Sequence, residues 1–448
     1  MSKQIRDNVY GFVELDDDEV KAIGHPFFQR LRRIKQNGLL EFLYPAAKHD
    51  RFQHSLGVNH LMKLALRHFE NESFGMSREK MDEYRKPLLW AALLHDVGHF
   101  PLSHTCEGAA GANHEQFGAW LIENTSVGEV LPRDIDKKEI SQLITGEILG
   151  KDLGQRPWFV RQLMKSDLDM DRMDYLLRDS VNIGIPYGNI GYTQLIRSFR
   201  ICGKDEKLCI EDKAIPTADG MELARVSMYT QVYAHKVNDS YSQMMTYVYK
   251  ANPGIFPSVN EIKDHIARDK SFWEGFDDIW IWNKLREISK DDKNPTNRYA
   301  KMLLNRQHLK LAHELKEWKP LKDRGENYLK YKILTDGINR GFYPDCPAKT
   351  GEVLAGETKV KYSDIAPQIS IGVLGEESEG VSLPEAIWVS SARRCWNEPK
   401  LLVTLPESLT NLMGGKALFI SRVYSIEEKR EAMRAFVNAK CDELKIRY

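Results

Sequence analysis

The sequence lacks the usual marks of secreted and membrane proteins. Its 448 residues contain only six cysteines, none of them in a CxxC pair, whereas small secreted domains are dense in paired cysteines. No apolar run approaches the roughly 20 residues that cross a bilayer, and the opening MSKQIRDNVYGF is not ordered as a basic and then apolar signal peptide. We therefore predict a soluble, cytoplasmic protein without a membrane partner.

An excess of charge of either sign is also missing. Lys and Arg together number 64, and Asp and Glu together number 64. Proteins that bind along a nucleic-acid backbone or an anionic membrane surface use a net positive field, which this chain does not have. The balance argues against nucleic acid as a partner and predicts that any phosphate ligand is bound by a few local residues.

Long alternating Val/Ile segments, which would indicate a large sheet, are scarce in the first half. From about Asp17 to Tyr249 the apolar residues recur mainly at three- and four-residue spacing, which predicts helices. The exceptions are NVYGFVEL and FRICGKDEKLCIED, which indicate short β structure, the second as a hairpin. We predict a helical body with a little β structure.

The pattern changes after Asn252, where NPGIFPS interrupts the helices. A helical stretch is predicted to about Glu326, followed by four strand-like pieces and a final helix: KVKYSDIAPQISIGVL, AIWVSS, KLLVTL, ALFISRVY and IEEKREAMRAFVNAKCDELK. A chain of this length exceeds one ordinary domain. We predict a mainly α catalytic domain with short β-hairpins over residues 1–320 and a smaller α+β regulatory or oligomerisation lobe over residues 321–448.

The most informative segment is LLWAALLHDVGHFPLSH, in which an apolar helix leads into His95 and Asp96. An adjacent imidazole and carboxylate can both reach one divalent cation, although a helix end with a hydrogen-bonded histidine would explain the pair equally well. Two further segments favour a metal, because RFQHSLGV supplies His54 and SDLDMDRMDYLLRD supplies several aspartates. Spacing does not choose among those aspartates, which are Asp167, Asp169, Asp171 and Asp174.

The order of these segments, His then His-Asp then Asp, resembles the HD phosphohydrolase superfamily. The resemblance implies an HD-domain helical core and selects Asp171 as the last ligand. It implies that a divalent metal, one of Fe, Mn, Mg or Zn, is held by four side chains: His54, His95, Asp96 and Asp171. Such a site leaves positions for water and a phosphate oxygen, while the ligand types do not identify the metal.

Six uncommon stretches narrow the resemblance to the deoxynucleoside triphosphate triphosphohydrolases, particularly the branch with the sterile-alpha-motif-bearing animal enzyme. They run in the same order through about Lys236: FFQRLRRIKQNG, RFQHSLGV, HDVGHFPLSH, NHEQ, DMDRMDYLLRD and YAHK. A weaker match continues to LPESLTNLMGGKALFISRVY. The resemblance implies that a deoxynucleoside triphosphate (dNTP) is cut to deoxynucleoside and triphosphate.

Histidines are concentrated after the first metal ligands, since HDVGHFPLSHTCE and NHEQ hold four of the 13 in the chain. Histidine titrates near neutrality and can exchange protons or neutralise phosphate charge. By resemblance, His114 is the acid or base near the scissile bond, and His99 and His104 contact phosphate oxygens. Glu107 stands where the branch usually has aspartate, which retains the carboxylate and lengthens its reach.

Phosphate and sugar contacts follow from the same resemblance. It nominates four residues as phosphate clamps, namely Arg51, Arg172, Tyr175 and Arg225, because arginine offers a planar fork to phosphate oxygens. Arg172 stands where the animal enzyme has lysine. Three residues match those that hold the 3′-hydroxyl and crowd the 2′ position, namely Gln36, Asp179 and Tyr233. Asn37 replaces an apolar residue that packs on the ribose, and Tyr229 replaces a histidine, so the preferred base stays open.

The resemblance also implies regulation, because enzymes of this branch are homo-oligomers switched on by nucleotides bound between subunits. Three residues match parts of that allosteric pocket: Gln29, Arg32 and Lys236. Gly24 stands where an aspartate reads guanine, which argues against a GTP switch and leaves another nucleotide activator or inhibitor. Arg393 and Arg394 are candidates for lining the interface. The size of the oligomer, whether dimer, tetramer or larger, is not set by the sequence.

Two other functions remain open. An HD-type monophosphatase or cyclic-nucleotide phosphodiesterase would use the same metal, but it would need fewer triphosphate clamps. A non-catalytic nucleotide sensor or nucleic-acid-binding module would need neither the complete ligand set nor the histidine cluster.

Overall fold

Helices dominate the first 305 residues of the computed structural model. The structure describes residues 3–71, 78–146, 157–320, 326–349, 351–361, 386–390, 399–413 and 416–447. The first sixteen described helices are α1 Asp17–Ile23, α2 Pro26–Gln29, α3 Arg51–Asn71, α4 Arg78–Leu94, α5 His104–Ala110, α6 His114–Asn124, α7 Lys137–Thr145, α8 Trp158–Met164, α9 Met170–Ile183, α10 Tyr192–Ser198, α11 Ile215–Met228, α12 Lys236–Ala251, α13 Val259–Arg268, α14 Ser271–Gly275, α15 Asp278–Lys290 and α16 Asn297–Leu304.

Several of these helices begin at the residue types that favour a helix start. Asp16 forms a capping box with Glu19 at the start of α1, and the Asp169 side chain accepts the backbone N–H of Arg172 at the start of α9. Such caps satisfy backbone donors that have no partner within the helix. α3 packs against both α4 and α9. This packing brings together the three segments that carry the expected metal ligands.

Two small sheets lie against the helical body. β1 Lys3–Asp7 and β2 Gly11–Leu15 form an antiparallel hairpin. β3 Phe199–Cys202 and β4 Lys207–Glu211 form a second hairpin, as FRICGKDEKLCIED predicts. β7 Trp388–Ser390 extends that hairpin in parallel beside β4, and β8 Lys400–Leu401 pairs antiparallel with β7.

A third sheet belongs to the smaller α+β part. Its order is β5-β9-β6, with β5 Lys310–Pro320, β6 Val353–Lys361 and β9 Lys416–Ser425, all antiparallel. The remaining helices are α17 Glu326–Asn339, α18 Leu409–Met413 and α19 Arg430–Glu443. A separate apolar cluster includes Tyr331, Phe419 and Val437. Its members come from α17, α19 and all three strands of this sheet, so this part has its own core.

The structure confirms the mainly α architecture with short hairpins and a smaller α+β part, but two local predictions were wrong. The stretch expected to be helical to about Glu326 contains β5, because residues 310–320 pair along their whole length with β9. KLLVTL is a strand only at Lys400–Leu401 and continues as a 3₁₀ helix, Leu402–Thr404. The segment from 362 to 374 lies outside the described residues. The division at residue 320 stays a prediction.

Candidate active site

Four side chains from three segments converge where α3, α9 and the end of α4 meet. The Nε2 atoms of His54 and His95 lie 3.2 Å apart, and His95 Nε2 lies 3.3 Å from Asp96 Oδ1. Asp171 Oδ1 lies 2.9 Å from His54 Nε2 and 4.0 Å from His95 Nε2. An ion with metal–ligand bonds of about 2.0–2.2 Å has neighbouring ligand atoms about 3 Å apart. The spacing therefore fits one metal ion.

The tautomers of the two histidines fit a metal as well. His95 Nδ1 lies 2.9 Å from the carbonyl of Ala92 and must donate to it, and His54 Nδ1 lies 2.7 Å from Asp174 Oδ2. Both Nε2 lone pairs of the neutral imidazoles then face each other, which is unfavourable without a cation between them. This arrangement of outer hydrogen bonds is the one found behind metal-bound histidines.

The pKa values of His54 and Asp171 also indicate that the site favours a bound cation. Burial alone lowers the pKa of His54, but hydrogen bonds to Asp171 and Asp174 raise it to about 10. Burial raises the pKa of Asp171, and the His54 contact outweighs it and lowers that pKa. Without a metal, the carboxylates therefore hold a proton on His54. A divalent ion would replace that proton, since metal-ligating histidine is neutral.

Asp174 contacts His54 on the side away from the other expected ligands, at Nδ1. Its carboxylate accepts hydrogen bonds from His54, Tyr10 and both the Nε and Nη2 atoms of Arg178. α3 approaches it closely at Gly57, where a Cβ would lie 1.8 Å from Asp174 Oδ1. The glycine of RFQHSLGV is thus the residue that lets this carboxylate reach His54.

A carboxylate lies among the histidines that follow the His-Asp pair. Glu107 Oε2 lies 2.9 Å from His104 Nδ1, and Glu107 Oε1 lies 3.0 Å from His114 Nδ1 and accepts the His114 backbone N–H. His99 stacks on His114 with 3.8 Å between ring centroids. The expected catalytic residues His99, His104, Glu107 and His114 therefore form one cluster.

The four members of this cluster have different electrostatic surroundings. Burial lowers the pKa of His114, but the hydrogen bond and charge of Glu107 raise it above its usual value. Burial and the charge of Arg51 hold the pKa of His99 well below its usual range. The His104 side chain is 69% exposed. His114 is thus suited to donate a proton and His99 to remain a neutral ring.

The three histidines of the cluster and the two carboxylates expected to bind the metal, Asp96 and Asp171, open on one cavity of about 410 Å³. Its lining contains most of the expected substrate-binding residues, which are Gln36, Asn37, Arg51, Arg172, Tyr175, Asp179, Tyr229 and Tyr233. Eight further lining residues were not among the predicted site residues: Gly38, Leu40, Leu102, Ser103, Thr105, Glu115, Asn238 and Ser242. Five of them lie in stretches that the sequence singled out, FFQRLRRIKQNG, HDVGHFPLSHTCE and NHEQ, whereas Leu40, Asn238 and Ser242 do not.

The expected phosphate-binding arginines have different places. Arg51 lines the cavity, where it donates to Asp96 Oδ2 at 2.9 Å, Ser103 Oγ at 3.0 Å and the Gln36 carbonyl at 3.1 Å. Arg172 lines it too and contacts Asp167. Arg225 does not line the cavity. It is buried behind it, 3.1 Å from Asp167 and 3.0 Å from Glu222. It reaches the site through Asp167, which also binds Arg172.

The expected sugar-binding residues share one carboxylate. Asp179 accepts the hydroxyl of Tyr233 and lies 2.6 Å from Nε2 of His49. His49 was missed by the sequence reasoning, although it lies five positions before His54. Asn37 Nδ2 lies 3.4 Å from the same His49 nitrogen. Tyr229 packs edge-on against Tyr233 with centroids 5.1 Å apart, on a π-helix over Tyr229–Tyr233, a conformation frequent at functional sites.

The three expected allosteric residues do not form one contact group in the described part of the chain. Arg32 Nε donates to Gln29 Oε1 at 2.9 Å, and its guanidinium lies 3.5 Å from the Phe52 ring centroid. Lys236 is exposed at the start of α12. Arg393 and Arg394 lie outside the described residues.

The chain matches two family models in succession. Residues 51–179 match the HD domain, and residues 190–319 match the HD-associated region. The uncharacterized protein YwfO of Bacillus subtilis is 31% identical over 319 residues, which cover 64% of this chain and 70% of that protein. The deoxynucleoside triphosphate triphosphohydrolase SAMHD1 of Gallus gallus is 29% identical over 279 residues, but the match covers only 44% of that enzyme and 54% of this chain.

Solved structures share the fold. A phosphohydrolase from Bacteroides thetaiotaomicron is 25% identical and covers 95% of this chain and 100% of that one, with a TM-score of 0.69. A hypothetical protein from Aquifex aeolicus has the same TM-score at 23% identity, covering 98% of this chain and 100% of that one. With the converging histidines and aspartates and the two family matches in order along it, the chain belongs to the HD-domain phosphohydrolase family.

Proposed function

We propose that this protein hydrolyses dNTPs to deoxynucleoside and triphosphate. The observation that carries the proposal is the single cavity onto which Asp96 and Asp171, the His114 ring and the Asp179–Tyr233 pair all open. A volume of about 410 Å³ lies in the range of small-ligand pockets. The SAMHD1 relatives are named for this reaction, which supports the same choice.

The chain supplies groups for each part of the reaction. A divalent ion held by His54, His95, Asp96 and Asp171 would lower the pKa of a water molecule and neutralise phosphate charge. The water oxygen bonds to the α-phosphorus, and the bond from phosphorus to the 5′ oxygen breaks. One proton of the water ends in solution, and the 5′ oxygen takes a proton from His114, whose pKa Glu107 raises and so favours the protonated ring.

Substrate binding uses the remaining lining residues. Arg51 donates three hydrogen bonds, to Asp96, Ser103 and the Gln36 carbonyl. Two of the five guanidinium N–H groups therefore remain for phosphate. Arg172 and the Tyr175 hydroxyl add further donors. The Asp179–Tyr233 pair would contact the sugar. A ribonucleotide, whose 2′-hydroxyl clashes there or leaves a buried polar group unpaired, would bind much more weakly.

Product analysis tests the proposal. The purified chain is incubated with Mn²⁺ or Mg²⁺ and with each dNTP alone and in mixtures, and the products are separated by ion-exchange chromatography. We expect tripolyphosphate and deoxynucleoside, and their loss in Asp171→Asn. Orthophosphate from a nucleoside monophosphate, or opening of a cyclic nucleotide, would replace the proposal with the alternative phosphatase or phosphodiesterase. The absence of every product would leave a nucleotide sensor.

Regulation by a nucleotide between subunits of a homo-oligomer is part of the proposal. A second cavity of about 850 Å³ supports it, because its lining holds four basic residues, Arg298, Lys301, Arg306 and Lys310, against two acidic ones, Glu427 and Glu428. Val237, next to Lys236, also lines it. Light scattering after size exclusion, with and without dNTPs, tests this part. An unchanged monomer whose rate depends hyperbolically on a single dNTP would contradict it.

A further inference from the structure

The N-terminal end of α15 contacts two loops that contribute to the cavity. Asp278, only 5% exposed, accepts the backbone N–H of Leu102 through Oδ1 at 2.7 Å and that of Lys35 through Oδ2 at 2.9 Å. Leu102 follows His99 and precedes His104, and Lys35 precedes Gln36. One carboxylate thus joins the loop with the histidines to the loop with the expected sugar contacts. We call these three residues the Asp278 clamp.

The loop that carries the histidines has a backbone that needs external support. Leu102 and Ser103 have φ values of 53° and 52°, in the left-handed region that is unfavourable for residues with a Cβ. Gly38 in the facing loop has φ 53°, and a Cβ there would lie 2.8 Å from the Leu102 carbonyl oxygen. The loops approach so closely that the glycine is required, and strained residues persist only where their surroundings fix them.

Other contacts link the same two loops to each other and to the α14–α15 region. The Ser103 hydroxyl donates to the Lys35 carbonyl at 2.7 Å. The fully buried Arg30 donates to the His99 carbonyl at 2.8 Å and to the Phe276 carbonyl at 2.7 Å, and it stacks 3.7 Å from the Trp273 ring centroid. The surroundings of Asp278 therefore hold the backbone on both sides of the histidine loop.

We propose that Asp278 is a positioning residue that sets the relative place of the histidine loop and the Gln36–Asn37 loop. It belongs to the HD-associated region, residues 190–319, whereas His99 and His104 belong to the HD domain, residues 51–179. The second region thus completes the site of the first without contributing this residue to the cavity lining. The kinetic part of the proposal rests on the proposed hydrolase function.

Asp278→Asn tests the proposal in the full chain. The amide has the shape of the carboxylate but can accept only one of the two N–H groups, since its nitrogen is itself a donor. We expect kcat/KM for dNTPs to fall about 10- to 100-fold, as for a small misplacement of catalytic groups. We also expect the preference for a dNTP over the matching ribonucleotide to shrink, because the Gln36 loop moves relative to the histidines.

Asp277→Asn is the matched control. Asp277 is the N-cap of α15 and binds Arg33, and asparagine caps a helix equally well. We expect Asp277→Asn to leave kcat/KM for dNTPs and the preference for a dNTP over the ribonucleotide within about twofold of the wild type. A displaced catalytic group would have a larger effect. Equal effects of the two substitutions, or unchanged kinetics in Asp278→Asn, would overturn the proposal, because they would mean that any change at the start of α15 acts alike.

Hydrogen exchange gives a test that does not need activity. Peptides spanning 34–38 and 100–104 should exchange faster in Asp278→Asn than in the wild type or the control, while peptides from α3 stay protected. Faster exchange in a chain without dNTPase activity would uphold the Asp278 clamp and reject the proposed function. If Asp278→Asn does not fold, the wild-type chain decides: Lys35 and Leu102 amides that exchange as fast as exposed loop amides would overturn the clamp.

Discussion

Asp171 and Asp174 lie three positions apart on one helix, and each contacts a different ring nitrogen of His54. Asp171 faces Nε2 at 2.9 Å, and Asp174 faces Nδ1 at 2.7 Å. We expect Asp174→Asn to weaken metal binding about 10- to 100-fold, the usual effect of losing an outer partner of a metal-bound histidine. Metal content after dialysis against graded chelator measures it.

Asp171→Asn provides the comparison for this substitution, since it removes a proposed ligand itself. It should lose the metal at every chelator concentration, whereas Asp174→Asn should regain full occupancy when excess metal is added. Identical behaviour of the two variants would mean that both aspartates are ligands.

The pH dependence of the reaction should depend on Glu107. A general acid must be protonated, so activity is present below the pKa of His114 and is lost as pH rises through it. Glu107 raises that pKa, and Glu107→Gln removes the charge. We expect the alkaline limb of the kcat profile to move to lower pH in Glu107→Gln, because the ring then loses its proton more easily. Glu107→Asp keeps the charge and should keep the limb, and a limb unmoved in both variants would exclude His114 as the acid.

At the scale of elements, β9 is joined to the turn between the π-helix and α12. Arg422 donates to the Ala234 carbonyl at 2.7 Å and to Glu314 at 2.6 Å, and it lies 3.4 Å from Asp239. The side chains of Arg422 and Asp239 are 6% and 9% exposed. The α+β part therefore packs directly behind the segment that carries Tyr229 and Tyr233.

Removing this buried cation should destabilise the protein. We expect Arg422→Met to lower the free energy of unfolding by about 3 kcal/mol, because Asp239 keeps its charge and loses the arginine. Urea unfolding measures the change. Arg434→Ala is the comparison, because that half-exposed arginine pairs with exposed Glu431 and donates to the Ala312 carbonyl, and exposed ion pairs contribute at most about 1 kcal/mol. Equal losses would show that Arg422 contributes no more than a surface residue.

At the scale of the whole molecule, metal binding and folding should be linked. The four expected ligands come from α3, the end of α4 and α9, so an ion at this site ties three segments of the core together. A ligand that binds only the folded chain stabilises it by about 2.7 kcal/mol at 100 times its dissociation constant. We expect Mn²⁺ to raise the melting temperature of chelator-treated protein and to leave Asp171→Asn unchanged. A rise of equal size in both would locate the stabilising ion elsewhere.

Within the described ranges, no helix is both long enough and apolar enough to cross a bilayer. Cys106, Cys346 and Cys441 are free thiols.

The sequence predicted most of the local secondary structure. The three- and four-residue apolar spacing marked the helices, and the polar GKDEK between two apolar runs marked the β3–β4 hairpin, because such patterns express the period of the backbone itself. β5 escaped because its strand conformation is set by pairing with β9, which begins almost a hundred residues later. Local propensity is a weak guide where a distant strand supplies the hydrogen bonds.

The sequence by itself determined which chemical groups the site could use: the His-Asp pair, the surrounding histidines and a choice of aspartates. Only the tertiary structure decided which nitrogen of His54 faces which aspartate, that His49 binds Asp179, that Arg225 lies behind Asp167, and that Asp278 holds two cavity loops. The physical reason is that side-chain identity is a property of each position, whereas metal coordination and buried hydrogen bonds require atoms from distant segments to meet within about 3 Å. That meeting is fixed by how α3, α4, α9 and α15 pack.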